Sequence, residues 1–488
     1  MTKILIIGGG YAGFYTARTL EKLLNKGEAE VTLVDARPYL TYQPFLPEVA
    51  AGSIEPRHVL VPHRRHLKTT QVVNAKVTGI SNADKQVTVQ AEGGEPYTLA
   101  YDVLVVTLGA VSRTFPIPGI ADNAIGLKSV EEAEWIRNKV TTNFDRAANL
   151  PAGPERQRLL TFVVVGGGFA GIEGFAEVRG LATKLLKHYP EITEDELQFH
   201  LIEAADRIMP EVSLETAKWV IADLAKRHAT VHLETQVTSA VDGVVETSKG
   251  DKFPTDVIIW TAGQMANPVL RNSDLPLEPR GRLRLRADLR ATDDDGIIEG
   301  VWGAGDSTQV PDVTGNGLPF DGSCVPNAQH AVRQARRLGK NIVASLRGDQ
   351  PVDYVHKPAG AVAGLGVGNG VFTGGKKKFA LKGGIAWLFH RGYHGLAIPT
   401  WERKWRVFGD WWHQIWLGRD IATTTHVQNP RAFFEEFASR PKPKPADDAK
   451  PAEAKAEKAA DKKAEKPAEA KAEKAADKKA EPQADDAK

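Results

Sequence analysis

One cysteine, Cys324, stands in 488 residues. A single thiol forms no internal disulfide, fits a reducing compartment and excludes a dithiol redox centre within one chain. An excess of one charge is also missing. Lys+Arg number 63 and Asp+Glu 61, a net +2, so nothing global points to nucleic acid. No run of about 20 apolar residues is there to span a bilayer. The nearest approach, Pro358 to Gly375, is uncharged but dense in glycine and reads as strands and turns. The apolar run Ile4-Leu5-Ile6-Ile7 ends in glycines and lacks a basic flank, so no secretory leader is read there. His58, His63 and His66 lack the paired spacing of metal ligands. Among Arg57, Arg64, Arg65 and Lys68 they read as a basic surface, and no metal site is expected.

The end of the chain lacks more. From Pro441 to Lys488 there is no aromatic or β-branched residue, and KPAEAKAEKAADKKAE occurs at Lys450–Glu465 and again at Lys466–Glu481. Such a segment has almost no apolar surface to bury, so residues 441–488 read as a disordered spacer. Its 13 Lys against 12 Asp+Glu make it no polybasic anchor.

The rest alternates apolar strands with helical patterns, which points to an α/β fold with parallel sheets. Two segments begin alike. Lys3-Ile4-Leu5-Ile6-Ile7 runs into Gly8-Gly9-Gly10-Tyr11-Ala12-Gly13, and Thr161-Phe162-Val163-Val164-Val165 runs into Gly166-Gly167-Gly168-Phe169-Ala170-Gly171. Both match G-x-G-x-x-G. The first glycine permits the tight turn, the second admits a pyrophosphate, and the third lets helix and strand pack closely. Each next strand ends in an acid suited to a ribose diol, Asp35 and Glu203. A carboxylate repels a 2′-phosphate, so NADH is expected over NADPH, with Arg207 near enough in sequence to work against that preference. Two such units imply two nucleotides, a bound flavin and a diffusible nicotinamide.

Three further stretches follow apolar runs: Thr107-Leu108-Gly109-Ala110, Thr261-Ala262-Gly263, and Gly303-Ala304-Gly305-Asp306. They look like the strand-to-loop crossings and the ribityl-binding Gly-Asp motif of two-dinucleotide-domain flavoproteins, with Asp306 expected at a helix start. Together with Tyr42-Gln43-Pro44-Phe45-Leu46-Pro47-Glu48, Gly171-Ile172-Glu173 and Pro326-Asn327-Ala328-Gln329-His330-Ala331, the chain resembles the type II NADH:quinone oxidoreductases from about Lys3 to Phe437. The resemblance implies non-covalent FAD, hydride delivery from NADH and two-electron reduction of a membrane quinone without proton pumping. It implies FAD binding by Gly8, Gly10, Tyr11, Ala12, Gly13, Asp35, Gln43, Thr107, Gly109, Gly305 and Asp306. NADH falls to Gly166, Gly168, Phe169, Ala170, Gly171, Glu203, Ala262 and Gly263. It places Glu173 near the nicotinamide and flavin, and Ala328 and Gln329 at the quinone end. One departure stands out. The family has a second glutamine four residues after the first, whereas here Gln329 is followed by Arg333 and then Gln334. One residue turns a helical side chain by about 100°, so the same role does not carry over to Gln334, and Arg333 is the alternative residue to face the quinone head or the flavin.

The expected division is 1–115 with 264–345 for an FAD-binding domain, 116–263 for an NADH-binding domain, 346–440 for a membrane-associating region and 441–488 for the tail. In the third part, Trp401, Trp405, Phe408, Trp412 and Ile415 share one helical face, with Arg403, Arg406, Asp410 and His413 opposite. Residues 376–420 hold nine Lys+Arg against three acids. An aromatic face with basic surroundings describes a helix lying in a headgroup layer, so a peripheral place on the cytoplasmic face of the cell membrane is expected. The alternative is that this face packs on the chain's own sheet or on a second subunit in a homodimer. Two other functions share the nucleotide motifs: a soluble NAD(P)H-dependent flavin reductase for a protein or small-molecule acceptor, and an NADH-binding redox-sensing flavoprotein. A disulfide reductase or sulfide oxidiser needs paired cysteines, which one cysteine does not supply.

Overall fold

The computed structural model describes residues 1–315, 321–356, 360–374, 379–423 and 431. In chain order, β1 (Thr2–Ile7), α1 (Tyr11–Leu23) and β2 (Ala29–Asp35) are followed by a short helix α2 (Leu46–Ala50), β3 (Gln71–Asn74) and β4 (Val103–Val106). A crossing strand β5 (Ala110–Ser112) leads to β6 (Ala124–Ile125), α3 (Val130–Ala148), β7 (Thr161–Val165), α4 (Phe169–Leu185), β8 (Gln198–Ile202), β9 (Ala229–His232) and β10 (Val257–Trp260). The return strand β11 (Gln264–Ala266) precedes β12 (Arg290–Thr292), β13 (Ile297–Gly303) and α5 (Ala328–Leu346). Three short strands β14 (Gly360–Gly364), β15 (Gly370–Gly374) and β16 (Phe379–Lys382) and two helices, α6 (Gly384–Ala397) and α7 (Trp401–Leu417), complete the described chain.

Two sheets organise it. The first runs β12-β13-β4-β1-β2-β3 and the second β6-β10-β7-β8-β9. β1 pairs in parallel with β2 on one side and β4 on the other; β7 does the same with β8 and β10. Strand order reverses at β1 and at β7, which makes the carboxyl end of each a crevice where ligands bind in open α/β sheets. Helices cover both faces of such sheets, so the central strands β1 and β7 read as apolar runs where they are buried. Ile4 to Ile7 and Thr161 to Val165 are all buried. The antiparallel pair β5–β11, with Ala110 opposite Ala266 and Ser112 opposite Gln264, carries the chain out of the first sheet and back.

Local signals set the helix starts. Ser129 and Glu132 form a capping box at α3. The Asn327 side chain accepts from His330 N to cap α5, and Thr400 accepts from Arg403 N to cap α7. The glycine-rich stretch forms β14 and β15, in antiparallel register from Gly360↔Gly374 to Gly364↔Gly370. The repeat tail, residues 441–488, lies outside the described residues. No helix among the described residues is long and apolar enough to cross a membrane.

Candidate functional site: two glycine turns and a C-terminal aromatic face

The first turn follows β1. Gly8 has φ +96°, and its amide donates to Val34 O at 2.8 Å. A Cβ on Gly8 would lie 2.3 Å from Thr107 O, and one on Gly13 would lie 1.8 Å from Gly8 O, so neither position has room for a side chain. A Cβ on Gly10 would meet nothing within 4 Å, which leaves the N-terminus of α1 open to an approaching anion. The Thr107 hydroxyl closes the turn from β4 by donating to Ile7 O at 2.9 Å and Gly8 O at 2.8 Å. Asp35 accepts from Gly9 N and Arg37 N.

The second turn repeats this pattern. Gly166 has φ +109° and its amide donates to Ile202 O at 2.8 Å. A Cβ on Gly171 would lie 1.9 Å from Gly166 O, and Gly168 again faces open space. The Thr261 hydroxyl donates to Val165 O at 2.9 Å and Gly166 O at 3.2 Å. Glu203 accepts from Gly167 N and Ala205 N. Gly109 and Gly263 both have positive φ in the crossings beyond Thr107 and Thr261, and Ala262 is half-buried. Arg207 donates to Val212 O.

A residue that sequence reasoning assigned to the surface stands behind the first turn. His63 is fully buried, with Nε2 2.9 Å from Gly9 O. Burial holds its imidazolium below the ordinary value despite the nearby Asp35. The basic-surface reading of this histidine is therefore wrong: the β-strand pairing of residues 39–41 with 60–62 folds it inward beneath the turn. His58 is also engaged, 2.7 Å from an Asp410 oxygen on α7. Nothing in the local pattern separates His63 from His58 or His66.

Asp306 corrects a second expectation. It does not start a helix; it sits in the turn after β13, and the next helix, α5, begins at Ala328. The turn is placed by tertiary contact. Gly305 packs against Ala12 of α1 and Ala331 of α5, and the Gly305 amide donates to Gln334 Oε1 at 2.8 Å. Gln334 is thus a buried support of the Gly-Asp turn, while Arg333, one residue earlier, donates back to Gln329 O at 3.0 Å. The Asp306 carboxyl is raised by burial, with Lys128 opposing, and its Oδ1 has no hydrogen-bond partner. The Tyr11 hydroxyl is likewise buried without a partner. Buried polar atoms left unpaired beside an open helix N-terminus are what a nucleotide cofactor satisfies. The residues present therefore fit a bound dinucleotide here.

Ala328 and Gln329 open α5, with Gln329 Oε1 3.4 Å from His356 Nε2. His330 Nδ1 meets the Tyr354 hydroxyl at 3.0 Å, and burial, then His356, push its imidazolium down to about 4. Gln43 is exposed and donates to Lys128 O at 3.1 Å. Cys324 is buried beside Asp306 and Gln334, and burial, chiefly, pushes its thiol up to about 11. Such a thiol is inert at neutral pH.

Glu173 lies three residues into the helix beyond Ala170, on the side turned toward α6. Its Oε1 accepts from Gly364 N at 2.9 Å and lies 3.1 Å from His390 Nε2. One turn on, Glu177 pairs with Arg419 at 2.8 Å, and Glu48 of α2 takes both Arg391 at 2.9 Å and the Trp411 indole N–H at 2.8 Å. Burial alone would depress the His390 imidazolium. Contact with Glu173 and the charges of Glu48 and Glu177 outweigh it and raise the value. Among the described residues no group of three or more His, Cys, Asp or Glu is placed to hold a metal ion.

The last helix presents its two faces the opposite way round from a core helix. Arg403, Val407 and Trp411 point into the protein. Arg403 reaches Arg57 O and Asp410 takes His58 and the Glu55 amide, while Arg406 and His413 of the same stripe are exposed. Trp401, Trp405 and Trp412 are 73, 73 and 61% exposed, with Phe408 and Ile415 beside them. α6 adds exposed Ile385, Leu388, Phe389 and Leu396. Among the described residues nothing covers this aromatic face.

Comparison with known proteins agrees with this geometry. The probable NADH dehydrogenase of Dictyostelium discoideum is 27% identical over 430 residues, 86% of this chain and 91% of that one. Demethylphylloquinone reductase of Synechocystis is 29% identical over 84% of this chain and 97% of its own length. The type II NADH:quinone oxidoreductase of Staphylococcus aureus is 29% identical over 76 and 89%. The structure of NDH2 from Plasmodium falciparum in complex with NADH superposes with a TM-score of 0.78 at 19% identity, over 86% of this chain and 100% of that one, and shares the fold. Residues 2–335, from β1 through both glycine turns to the glutamine that holds the Gly-Asp turn, match the pyridine nucleotide-disulphide oxidoreductase family, and the chain belongs to it.

Proposed function

We propose that the chain is an NADH:quinone oxidoreductase of type II, with FAD in the first turn and NADH in the second. The observation that carries this is the repetition of one hydrogen-bonding plan at Gly8–Gly13 and Gly166–Gly171 in a chain whose single cysteine leaves no internal disulfide to take the electrons. The acceptor must then lie outside the protein. Relatives named for NADH and for quinone reduction support this choice.

We assign 1–115 with 264–345 to the FAD half and 116–263 to the NADH half. FAD, when bound, supplies the ring that takes a hydride and releases two electrons. The protein positions. The α1 N-terminus and Gly10 take the pyrophosphate, Asp35 the adenosine ribose, and Asp306 a ribityl hydroxyl. In the second half the α4 N-terminus and Glu203 orient the nicotinamide dinucleotide, and the carboxylate disfavours a 2′-phosphate. Glu173, held by Gly364 N and His390, or water near Gln329, carries a proton toward the quinone as it is reduced, with Ala328 and Gln329 on the quinone side. The exposed aromatic face of α7 docks the protein on the cytoplasmic surface of the membrane, where quinones partition.

The test is a stopped-flow trace of the flavin band. Holoprotein is mixed with NADH, then with a lipophilic quinone, with and without anionic liposomes. NADH is expected to bleach the band, and quinone to restore it faster with liposomes. Bleaching with no quinone-driven recovery refutes the quinone assignment and favours a soluble reductase. Glu173→Gln should slow the recovery phase; an unchanged rate removes its proton role.

A further inference from the structure

Arg113 is a cation that neither the glycine turns nor the acids after them absorb. It follows the crossing strand β5. Its amide donates to Gly263 O at 3.3 Å, and its carbonyl accepts from the Trp260 indole N–H at 2.8 Å. A Cβ on Gly263 would meet Arg113 Cβ at 3.9 Å and nothing else within 4 Å. The guanidinium rests over the Phe115 ring, 4.8 Å from its centroid, and that ring stands edge-on to Trp260 at 6.2 Å. Arg113 is exposed, and among the described residues no carboxylate pairs with it.

These contacts set Arg113 on one wall of the second crevice. β10 pairs with β7 on the side opposite β8, and Trp260 lies across from Val165, the residue before the second turn. A ligand of an open α/β sheet sits outside the carboxyl ends of the strands that flank the reversal, here β7 and β10. Gly166 forms the β7 wall. Ala262 and Gly263 form the β10 wall, and a Cβ on Gly166 would lie only 2.8 Å from Ala262 N. Arg113 is the next residue beyond Gly263 on that wall, and an arginine side chain reaches about two Cα spacings, roughly 7 Å. The charges already at the turn leave a deficit. A dinucleotide brings a pyrophosphate, anionic at both phosphates. The N-terminus of α4 offers about half a positive charge, and its first turn, Phe169 to Ile172, contains no basic residue. Glu203 adds a negative charge, and Arg207 is engaged at Val212 O.

We propose that Arg113 is a binding residue for the diffusible nucleotide, its guanidinium resting on Phe115 at the β10 wall and pairing with the pyrophosphate of NADH in the second turn. This rests on the assignment of NADH to that turn. The Phe115 ring restricts the side chain without neutralising it, so the cation is in place before the ligand arrives. Arginine suits the task because its planar fork meets phosphate oxygens in pairs. The contact is exposed, so salt weakens it. Arg113 takes no part in the hydride step; it sets how much NADH is needed, not how fast bound NADH reacts.

The test compares FAD-loaded wild type with Arg113→Met and Arg113→Lys, using two hydride donors: NADH, and reduced nicotinamide riboside, which has the same ring and no phosphate. Arg113→Met is expected to need on the order of tenfold more NADH for half-maximal bleaching, while its bleaching by the riboside stays as in wild type. Lysine keeps the charge but not the fork and should fall between the two. The gap between methionine and wild type should narrow as salt is raised. An equal loss with both donors overturns the proposal, because the change then lies in the fold or at the ring and not at the phosphates. A methionine variant with the wild-type NADH requirement overturns it as well. Binding of ADP-ribose to the same proteins is measured by calorimetry, which needs no hydride transfer, and should weaken about tenfold in Arg113→Met. If NADH fails to bleach wild type, the NADH reaction is refuted and the ADP-ribose comparison decides Arg113 by itself.

Discussion

Gly10 and Gly168 occupy the same place in their turns, and each faces open space, but the residues two positions later part company. Ala12 is buried under Gly305 and Ala331, whereas Ala170 is exposed. The roof over the first turn is α5. It packs along α1, with Thr19 close against Gly339, and Gln334 pins the Gly-Asp turn. Nothing comparable among the described residues covers the second. The backing differs as well. Gly9 rests on the His63 ring, Gly167 on the Ile208 side chain. One hydrogen-bonding plan therefore serves two uses. A roofed turn suits a cofactor that stays, an open turn a nucleotide that exchanges every cycle, and the difference supports placing FAD first and NADH second.

The largest effect should come from filling the third glycine. In Gly13→Ala and Gly171→Ala the new Cβ would stand 1.8 and 1.9 Å from a carbonyl oxygen. Forced overpacking costs about 1–3 kcal/mol or more. Gly13→Ala is expected to purify without flavin. Gly171→Ala should stay yellow and need at least about tenfold more NADH for bleaching, since about 1.4 kcal/mol is a factor of ten. Loss of flavin from both variants would break the comparison.

The paired acids come next. Asp35→Asn should release FAD on dilution, and Glu203→Gln should weaken NADH with flavin content unchanged, each by about 1.5–3 kcal/mol for a charged hydrogen bond. Spectrophotometric titration reads both. Equal NADH affinity in Glu203→Gln would count against its ribose contact.

Acid should act on a single half-buried histidine of the second half, with a smaller effect. Burial, then the neighbouring His232, push His200 on β8 down to about 4. The unfolded chain takes up that proton first, near the ordinary histidine value of about 6.5. Stability from this group is therefore present above about pH 6.5 and lost as pH falls toward 4, on the order of 1–2 kcal/mol at pH 5. His200→Phe, beside the stacked Phe253 ring, should flatten the pH dependence of denaturant midpoints between pH 7 and 5. An unaltered slope would discard the assignment.

The smallest effect is expected at the backing residue. His63→Leu removes the 2.9 Å contact to Gly9 O, about 1 kcal/mol, with a small drop in Tm. Ile208→Leu in the second turn should cost no more. If His63→Leu also releases flavin, the histidine shapes the site and is more than packing.

Much of the site was legible in the chain. Asp35 ends β2 and Glu203 follows β8, where the spacing placed them. The tryptophan stripe was also readable, because helical periodicity is local. His63 and Gln334 were not. Each is joined to its partner across a long loop: His63 to Gly9 across 54 residues and Gln334 to Gly305 across 29. Asp306 misled for the related reason that an aspartate after a strand resembles a helix cap until the next element is seen.

By itself, then, the sequence determined the two glycine turns, their terminal acids and the amphipathic last helix, because each depends on backbone sterics and periodicity over a few residues. Only the tertiary structure decided which turn is roofed, which histidine lies beneath it and which glutamine pins its roof. Those outcomes depend on burial and on charges brought together by strand pairing and helix docking, which no local pattern encodes.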